Sequence, residues 1–135
     1  MKWEEEFLTL HNSLGTCILS NISVNDLTEL YYLTTGIECS VDTLFKASER
    51  IINLQRLFNI NKSGIKQNFD WPKPFYDEIL FKKGHYPSRI DPAEVEKTLN
   101  KYCDLRHWDR IDFKPGKKII KELELDKIID KHIKI

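Results

Sequence analysis

Apolar residues recur at helical spacing along most of the chain. The stretch from Trp3 to Leu10 is helix-like, and Ile18 and Leu19 follow before a polar break at Ser20 and Asn21. Ser23 reads as an N-cap, with Asp26 three residues later approximating a capping box. Val24, Leu27, Leu30, Tyr31 and Thr34 then share one helical face, and Gly36 ends the element. Ser40 caps a longer helix whose apolar set is Val41, Leu44, Phe45, Ile51, Ile52, Leu54, Leu57 and Phe58. That set is wide enough for burial on more than one side. The polar run 59–64, closing on Gly64, is the expected stop. Residues 24–35 and 41–59 thus predict a helical hairpin, with the longer helix as its mechanical core.

From 65 to 90 the pattern changes. Trp71-Pro72-Lys73-Pro74-Phe75 and Tyr86-Pro87 cannot continue a helix, because proline lacks an N–H and restricts the residue before it. One short helix fits, around 76–81, within an extended, aromatic-rich segment expected to cross the hairpin. Asp91-Pro92-Ala93-Glu94 combines an N-cap, proline at the first helical position and an acid in the first turn. The helix it starts carries Val95, Leu99, Tyr102 and Cys103 on one face and runs to Arg106. Lys114-Pro115-Gly116 sets off a last element, 114–135, read as a terminal helix with apolar Ile119, Ile120, Leu123 and Leu125 and then a frayed helical tail. The fold class is all-α, a helical hairpin plus further helices, in a single domain over 1–135.

Composition removes several classes of function. The chain has 135 residues, enough for one domain that buries roughly two-thirds of its unfolded surface. Lys+Arg and Asp+Glu balance at 21 each, so nucleic-acid binding through phosphate neutralisation is not expected. Basic residues do alternate with aromatics between 65 and 90, but the neutral charge and the prolines favour packing. No apolar run approaches the roughly 20 residues of a membrane span. The acidic start, Glu4-Glu5-Glu6, resembles neither a signal nor a transit peptide, so the cytoplasm is the expected location. Cys17, Cys39 and Cys103 are too far apart for a disulfide framework or a self-contained metal site, and Cys39 and Cys103 read as small core residues.

Asn12-Ser13-Leu14-Gly15-Thr16-Cys17 is the stretch with chemistry in it. Glycine at a helix end lets the backbone turn or approach a ligand closely. A thiolate just beyond such a turn can be presented to iron or another soft metal. On spacing alone, a helix C-terminus followed by a buried cysteine is the favoured alternative.

The stretch resembles the Asp-x-x-Gly-Leu-Cys motif of the tungsten-containing aldehyde ferredoxin oxidoreductases, with Asn12 for the aspartate and Thr16 for the leucine. Residues 49–59 resemble a segment that follows this motif in the family. Tyr102-x-x-x-Arg106-x-Trp108-Asp109 resembles the family's Tyr-x-x-x-Arg-Gly-Trp-Asp, with His107 for the glycine. If that position is left-handed, histidine there costs about 1 kcal/mol. His107 itself reads as a helix-capping residue rather than a base. The resemblance runs from about Trp3 to Leu125.

Several expectations follow from the resemblance. It implies the all-helical C-terminal domain of an enzyme that oxidises aldehydes to carboxylates at a tungsten held by two pterins. Electrons would leave through a [4Fe–4S] cluster to ferredoxin. Asn12, Gly15, Thr16 and Cys17 would face the cofactors, with Cys17 as the fourth cluster ligand; no catalytic residue is assigned. Asparagine offers a pterin one acceptor oxygen where a carboxylate offers two, a loss of about 1–3 kcal/mol. The other cluster cysteines, spaced Cys-x-x-Cys-x-x-x-Cys in the family, have no counterpart here, nor does the sheet-rich domain that cradles the pterins. The chain alone is therefore expected to hold neither cofactor and to be inactive. A companion catalytic chain would be needed to complete the site unless the chain is an excised domain, and the alternative is a cofactor-free helical interaction module or a decayed remnant. The surface around Leu14, Gly15 and Cys17 is expected to be apolar and partly open.

Overall fold

The helix over Val41–Ser63 is the spine of the molecule, because three separate apolar clusters each take a buried side chain from it: Leu44, Ile52 and Leu57. A computed structural model describes residues 1–63, 72–77 and 91–132. The helices in chain order are α1 (Lys2–Leu14), α2 (Val24–Thr35), α3 (Val41–Ser63), α4 (Pro74–Asp77), α5 (Pro92–Arg106), α6 (Lys117–Glu122) and α7 (Asp126–His132). A single 3-10 turn, Ile18–Ser20, joins α1 to α2. Among the described residues there is no strand, only an isolated bridge between Trp108 and Pro115. The fold is all-α.

Local chemistry sets most helix ends. Ser23 Oγ accepts from the Asp26 N–H at 3.2 Å and Asp26 Oδ2 accepts from the Ser23 N–H at 2.9 Å, so the capping box is complete. Those bonds hold the Asp26 carboxyl below its ordinary pKa. Gly36, at φ 72°, closes α2 in the left-handed conformation. Ser40 Oγ accepts from the Thr43 N–H at 3.1 Å to start α3. Asp91 Oδ1 accepts from the Ala93 N–H at 2.9 Å ahead of α5. His107, at φ 55°, closes α5 and does occupy the left-handed region.

Three boundaries differ from expectation. α3 does not stop at residue 59 but runs through Ser63, since nothing between Asn59 and Ser63 is a glycine or proline. α4 begins at Pro74 rather than 76, with proline in the first helical turn, where its missing N–H is harmless. Residues 78–81, and all of the segment expected to cross the hairpin except 72–77, lie outside the described residues. The tail beyond Leu125 is helical, as expected, but it forms a separate helix, α7, after a break rather than the frayed end of α6. Glu124 turns left-handed at φ 54° between α6 and α7. That turn brings Ile129 (6% exposed) into the cluster of Leu57, Ile119, Leu123 and Leu125.

The hairpin of α2 and α3 is present, but the more extensive partner of α3 is α1. Leu10, Leu27 and Leu44 meet at the junction of the three helices, flanked by Phe7, Leu14, Ile22, Val24, Cys39 and Phe45. α2 contributes Leu27 alone as a fully buried side chain.

Candidate functional site at the end of α1

The C-terminus of α1 is wound shut by one carbonyl. His11 O accepts from the Gly15 N–H and, at 2.9 Å, from the Thr16 N–H. Gly15 takes φ 71°, which a Cβ would strain, and an added Cβ would meet nothing within 4 Å. The space over Gly15 is open. Cys17 is extended (φ −80°, ψ 128°), and its carbonyl accepts from the Ser20 N–H at 3.0 Å and from Ser20 Oγ at 2.5 Å. The backbone of Cys17 is therefore held on a short turn while its thiol is exposed.

Exposure of Cys17 corrects the reading from spacing alone, which favoured a buried cysteine. Ile18 and Leu19 are too few to wrap the thiol, and Leu19 itself is 87% exposed. Cys39 is half-buried beside the Leu27 cluster, and Cys103 is fully buried. Burial and the nearby carboxylates of Asp104 and Asp109 push the Cys103 thiol up in pKa.

His11 is the residue that sequence reasoning missed. It is fully buried, packs edge-on against Phe7 with ring centroids 4.5 Å apart, and its Nδ1 lies 2.8 Å from Thr16 Oγ1. Its Nε2 has no hydrogen-bond partner among the described residues. The available signal was the spacing Phe7–Leu10–His11–Leu14, which puts the ring on the apolar side of α1. Thr16 is thereby committed: its hydroxyl meets His11 Nδ1 and its N–H meets His11 O. Of the four residues expected to face a cofactor, Asn12 and Cys17 expose side chains free for a ligand, Gly15 offers bare backbone, and Thr16 secures the turn.

The other end of α1 is pinned to α5 by a buried charge network. Arg106 is fully buried; Nη1 donates to Glu6 Oε1 at 2.7 Å, Nη2 to Glu5 Oε2 at 2.5 Å, and Nε to Tyr102 Oη at 3.2 Å. Burial works against the Arg106 charge, but Tyr102 and Glu5 outweigh it and its pKa lies above the ordinary value. Tyr102 donates to Glu5 Oε2 at 2.5 Å, and burial first, then that bond, pushes its phenol up to about 12. Lys2 Nζ adds an ion pair to Glu49 of α3 at 3.0 Å. The register of α1 against α3 and α5, and with it the direction in which Cys17 emerges, is set by these contacts.

Arg56 is packed rather than solvated. Its Nε donates to Phe113 O at 2.9 Å, and its guanidinium lies over Trp108 at 5.6 Å. His107 caps α5 and its carbonyl accepts from the Gly116 N–H at 2.9 Å, so its backbone serves the fold. Both segments that resemble family sequence outside the cysteine turn are structural.

Fold and site together define an all-helical domain that presents one exposed thiol on a helix-closing turn. Among the described residues no group of three or more His, Cys, Asp or Glu side chains is placed to hold a metal ion. The chain belongs to the aldehyde ferredoxin oxidoreductase family: the family model for domains 2 and 3 of that enzyme matches residues 1–125. It is 28% identical over 129 residues to the tungsten-containing aldehyde ferredoxin oxidoreductase of Pyrococcus horikoshii, covering 93% of this chain and 20% of the relative. The Pyrococcus furiosus protein of the same name is 28% identical over 123 residues, covering 88% and 20%. That of Pyrococcus abyssi is 26% identical over 129 residues, covering 93% and 20%. The chain thus spans about a fifth of the length of these relatives. No solved structure matches it. No described helix is long and apolar enough to cross a membrane.

Proposed function

We propose that the chain is the cofactor-completing helical domain of an aldehyde ferredoxin oxidoreductase, acting with a companion catalytic polypeptide. The observation that carries this is the exposed Cys17 thiol, held on a turn directly after a left-handed Gly15 in a chain of this family. One thiolate fits the role of a fourth ligand to a [4Fe–4S] cluster, which takes its remaining ligands from elsewhere. Asn12 would bond a pterin through its amide, Gly15 would let the backbone approach it, and the His11–Thr16 contact would keep the turn in place. When bound, tungstopterin supplies the two-electron oxidation of aldehyde to carboxylate and the cluster passes electrons to ferredoxin. The assembled enzyme would work in the cytoplasm.

The test is anaerobic co-expression with a polypeptide carrying Cys-x-x-Cys-x-x-x-Cys, read by iron content and the visible absorption of the cluster. Cys17→Ala should lower cluster occupancy, while Cys39→Ala and Cys103→Ala, at half-buried and buried thiols, should leave it unchanged. Stoichiometric four-iron loading of this chain alone would contradict the reading. A second reading, a cofactor-free interaction module or remnant, is favoured by asparagine at position 12. A stable but iron-free complex would support it.

A further inference from the structure

α2 buries too little of its own apolar surface to account for its sequence. Val24, Leu27, Leu30, Tyr31, Tyr32 and Leu33 lie on it, yet Leu27 is its only buried residue. An isolated helix of this length is marginal in water and relies on packing. Leu33 is 69% exposed and Ile37, just beyond the Gly36 cap, 57% exposed. From Leu30 to Ile37 the chain carries no charged side chain, although 31% of all residues are charged. The two threonine hydroxyls there, although exposed, bond within the helix: Thr34 donates to Leu30 O at 2.7 Å and Thr35 to Tyr31 O at 2.6 Å. The exposed Leu105 and Ile111 are different, because the exposed charges of Asp104 and Arg110 stand directly beside them in the chain. Loss of charge around exposed large apolar groups marks the centre of a protein interface.

We infer that the second half of α2 and its cap, residues 30–37, form the surface on which the companion polypeptide docks. The inference rests on the companion reading above and adds the surface through which it works. The occupant follows from length: the matched relatives embed this fifth in four times as much further polypeptide. An exposed apolar strip, free of charge between Glu29 and Glu38, on a helix anchored by a single buried leucine is suited to being covered by that remainder.

The test places a photo-crosslinking residue in the full chain, Leu33→p-benzoylphenylalanine, with Ile111→p-benzoylphenylalanine as control, in its native cells. Cross-linked products are identified by mass spectrometry. The expected result is a product from position 33, and not from 111, that contains a polypeptide with Cys-x-x-Cys-x-x-x-Cys. In a pull-down with that polypeptide, Leu33→Glu should weaken the complex about tenfold or more, with Leu105→Glu near wild type. A homodimer cross-linked at 33 would overturn the proposal in favour of a second copy of this chain. Companion cross-links from 111 alone, or Leu33→Glu binding like wild type, would overturn the surface and leave the companion reading standing. Recovery of no such polypeptide from either position would overturn both.

Discussion

The indole Nε1 of Trp108 donates to Asn53 Oδ1 at 2.8 Å, joining residues 55 positions apart in a fully buried bond. Asn53 is oriented for this by its own amide, whose Nδ2 donates to Glu49 O at 2.8 Å. The pair explains why two separated stretches, 49–59 and 102–109, both resemble family sequence: each holds half of one contact. Asn53→Ala leaves a buried N–H without a partner, which costs about 1–3 kcal/mol. Urea unfolding should show a lower midpoint with an unchanged slope. Combining Asn53→Ala with Trp108→Phe should cost less than the sum of the single changes.

Arg106 and Glu6 are both buried, and their bond spans 100 positions. Removing one partner of a buried ion pair costs about 3–5 kcal/mol when the other charge is left uncompensated. Without Arg106 the Glu6 carboxylate would keep, among the described residues, only the longer contact to Lys2 Nζ at 3.5 Å. Arg106→Leu should be destabilised on that scale. Adding Glu6→Gln to it should recover part of the loss, which a thermal unfolding series of the single and double variants would reveal. If the double variant were no better than Arg106→Leu, the packing of Arg106 and its bond to Glu5 would matter more than the charge on Glu6.

What the sequence made legible divides by range. Capping is local, so Ser23, Asp26, Gly36, Asp91 and Pro92 marked the ends of α2 and the start of α5 where they fall. The burial of Arg106 was not legible, because a buried guanidinium needs Glu5 and Glu6 from the far end of the chain. His11 was hidden for the same reason, since only the packing of α1 on α3 makes its face interior. The turn at Glu124 was missed because no glycine or proline announces it. At the candidate site the motif located the turn, but the exposure of Cys17 and the commitment of Thr16 to His11 required the fold.

Tyr102 gives the chain an alkaline signature. Its folded pKa is raised to about 12 from the ordinary 10, so the folded state keeps the phenolic proton after the unfolded state has lost it. The stabilisation is fully present below pH 10 and is lost as pH rises through about 12, on the order of 2 kcal/mol over that window. Ultraviolet titration should show a late-ionising tyrosine phase, and Tyr102→Phe should remove it. A Tyr102→Phe variant with the same stability slope above pH 10 as wild type would contradict the assignment.

His107 and Gly116 should respond to substitution with opposite signs. His107 sits at φ 55°, so His107→Gly relieves left-handed strain and should gain about 1 kcal/mol. At Gly116 an added Cβ would come 2.9 Å from His107 O, and that oxygen is backbone that cannot swing aside. Gly116→Ala must displace the loop that holds the Trp108–Pro115 bridge, a loss of about 1–3 kcal/mol. Paired melting curves would read both signs at once.

The three thiols should separate cleanly under labelling. Cys17 is exposed on a turn whose carbonyl, not its sulfur, carries the hydrogen bonds that hold it. Cys39 is half-buried against the Leu10–Leu27–Leu44 cluster and should react more slowly. Cys103 is fully buried beside Ile52, Tyr102 and Trp108, and its raised pKa further suppresses the thiolate that reacts. A reagent such as an aromatic disulfide, added at neutral pH, should modify one thiol fast and one slowly. The third should appear only at the rate of unfolding, and mass spectrometry of the digest would place the fast adduct on Cys17. Thr16→Val tests the turn itself, since it removes the hydroxyl that meets His11 Nδ1 at 2.8 Å. If that contact fixes the thiol's direction, labelling of Cys17 should change rate in Thr16→Val while Cys39 and Cys103 keep theirs. A uniform change at all three would instead mean that the substitution loosens the whole helical core.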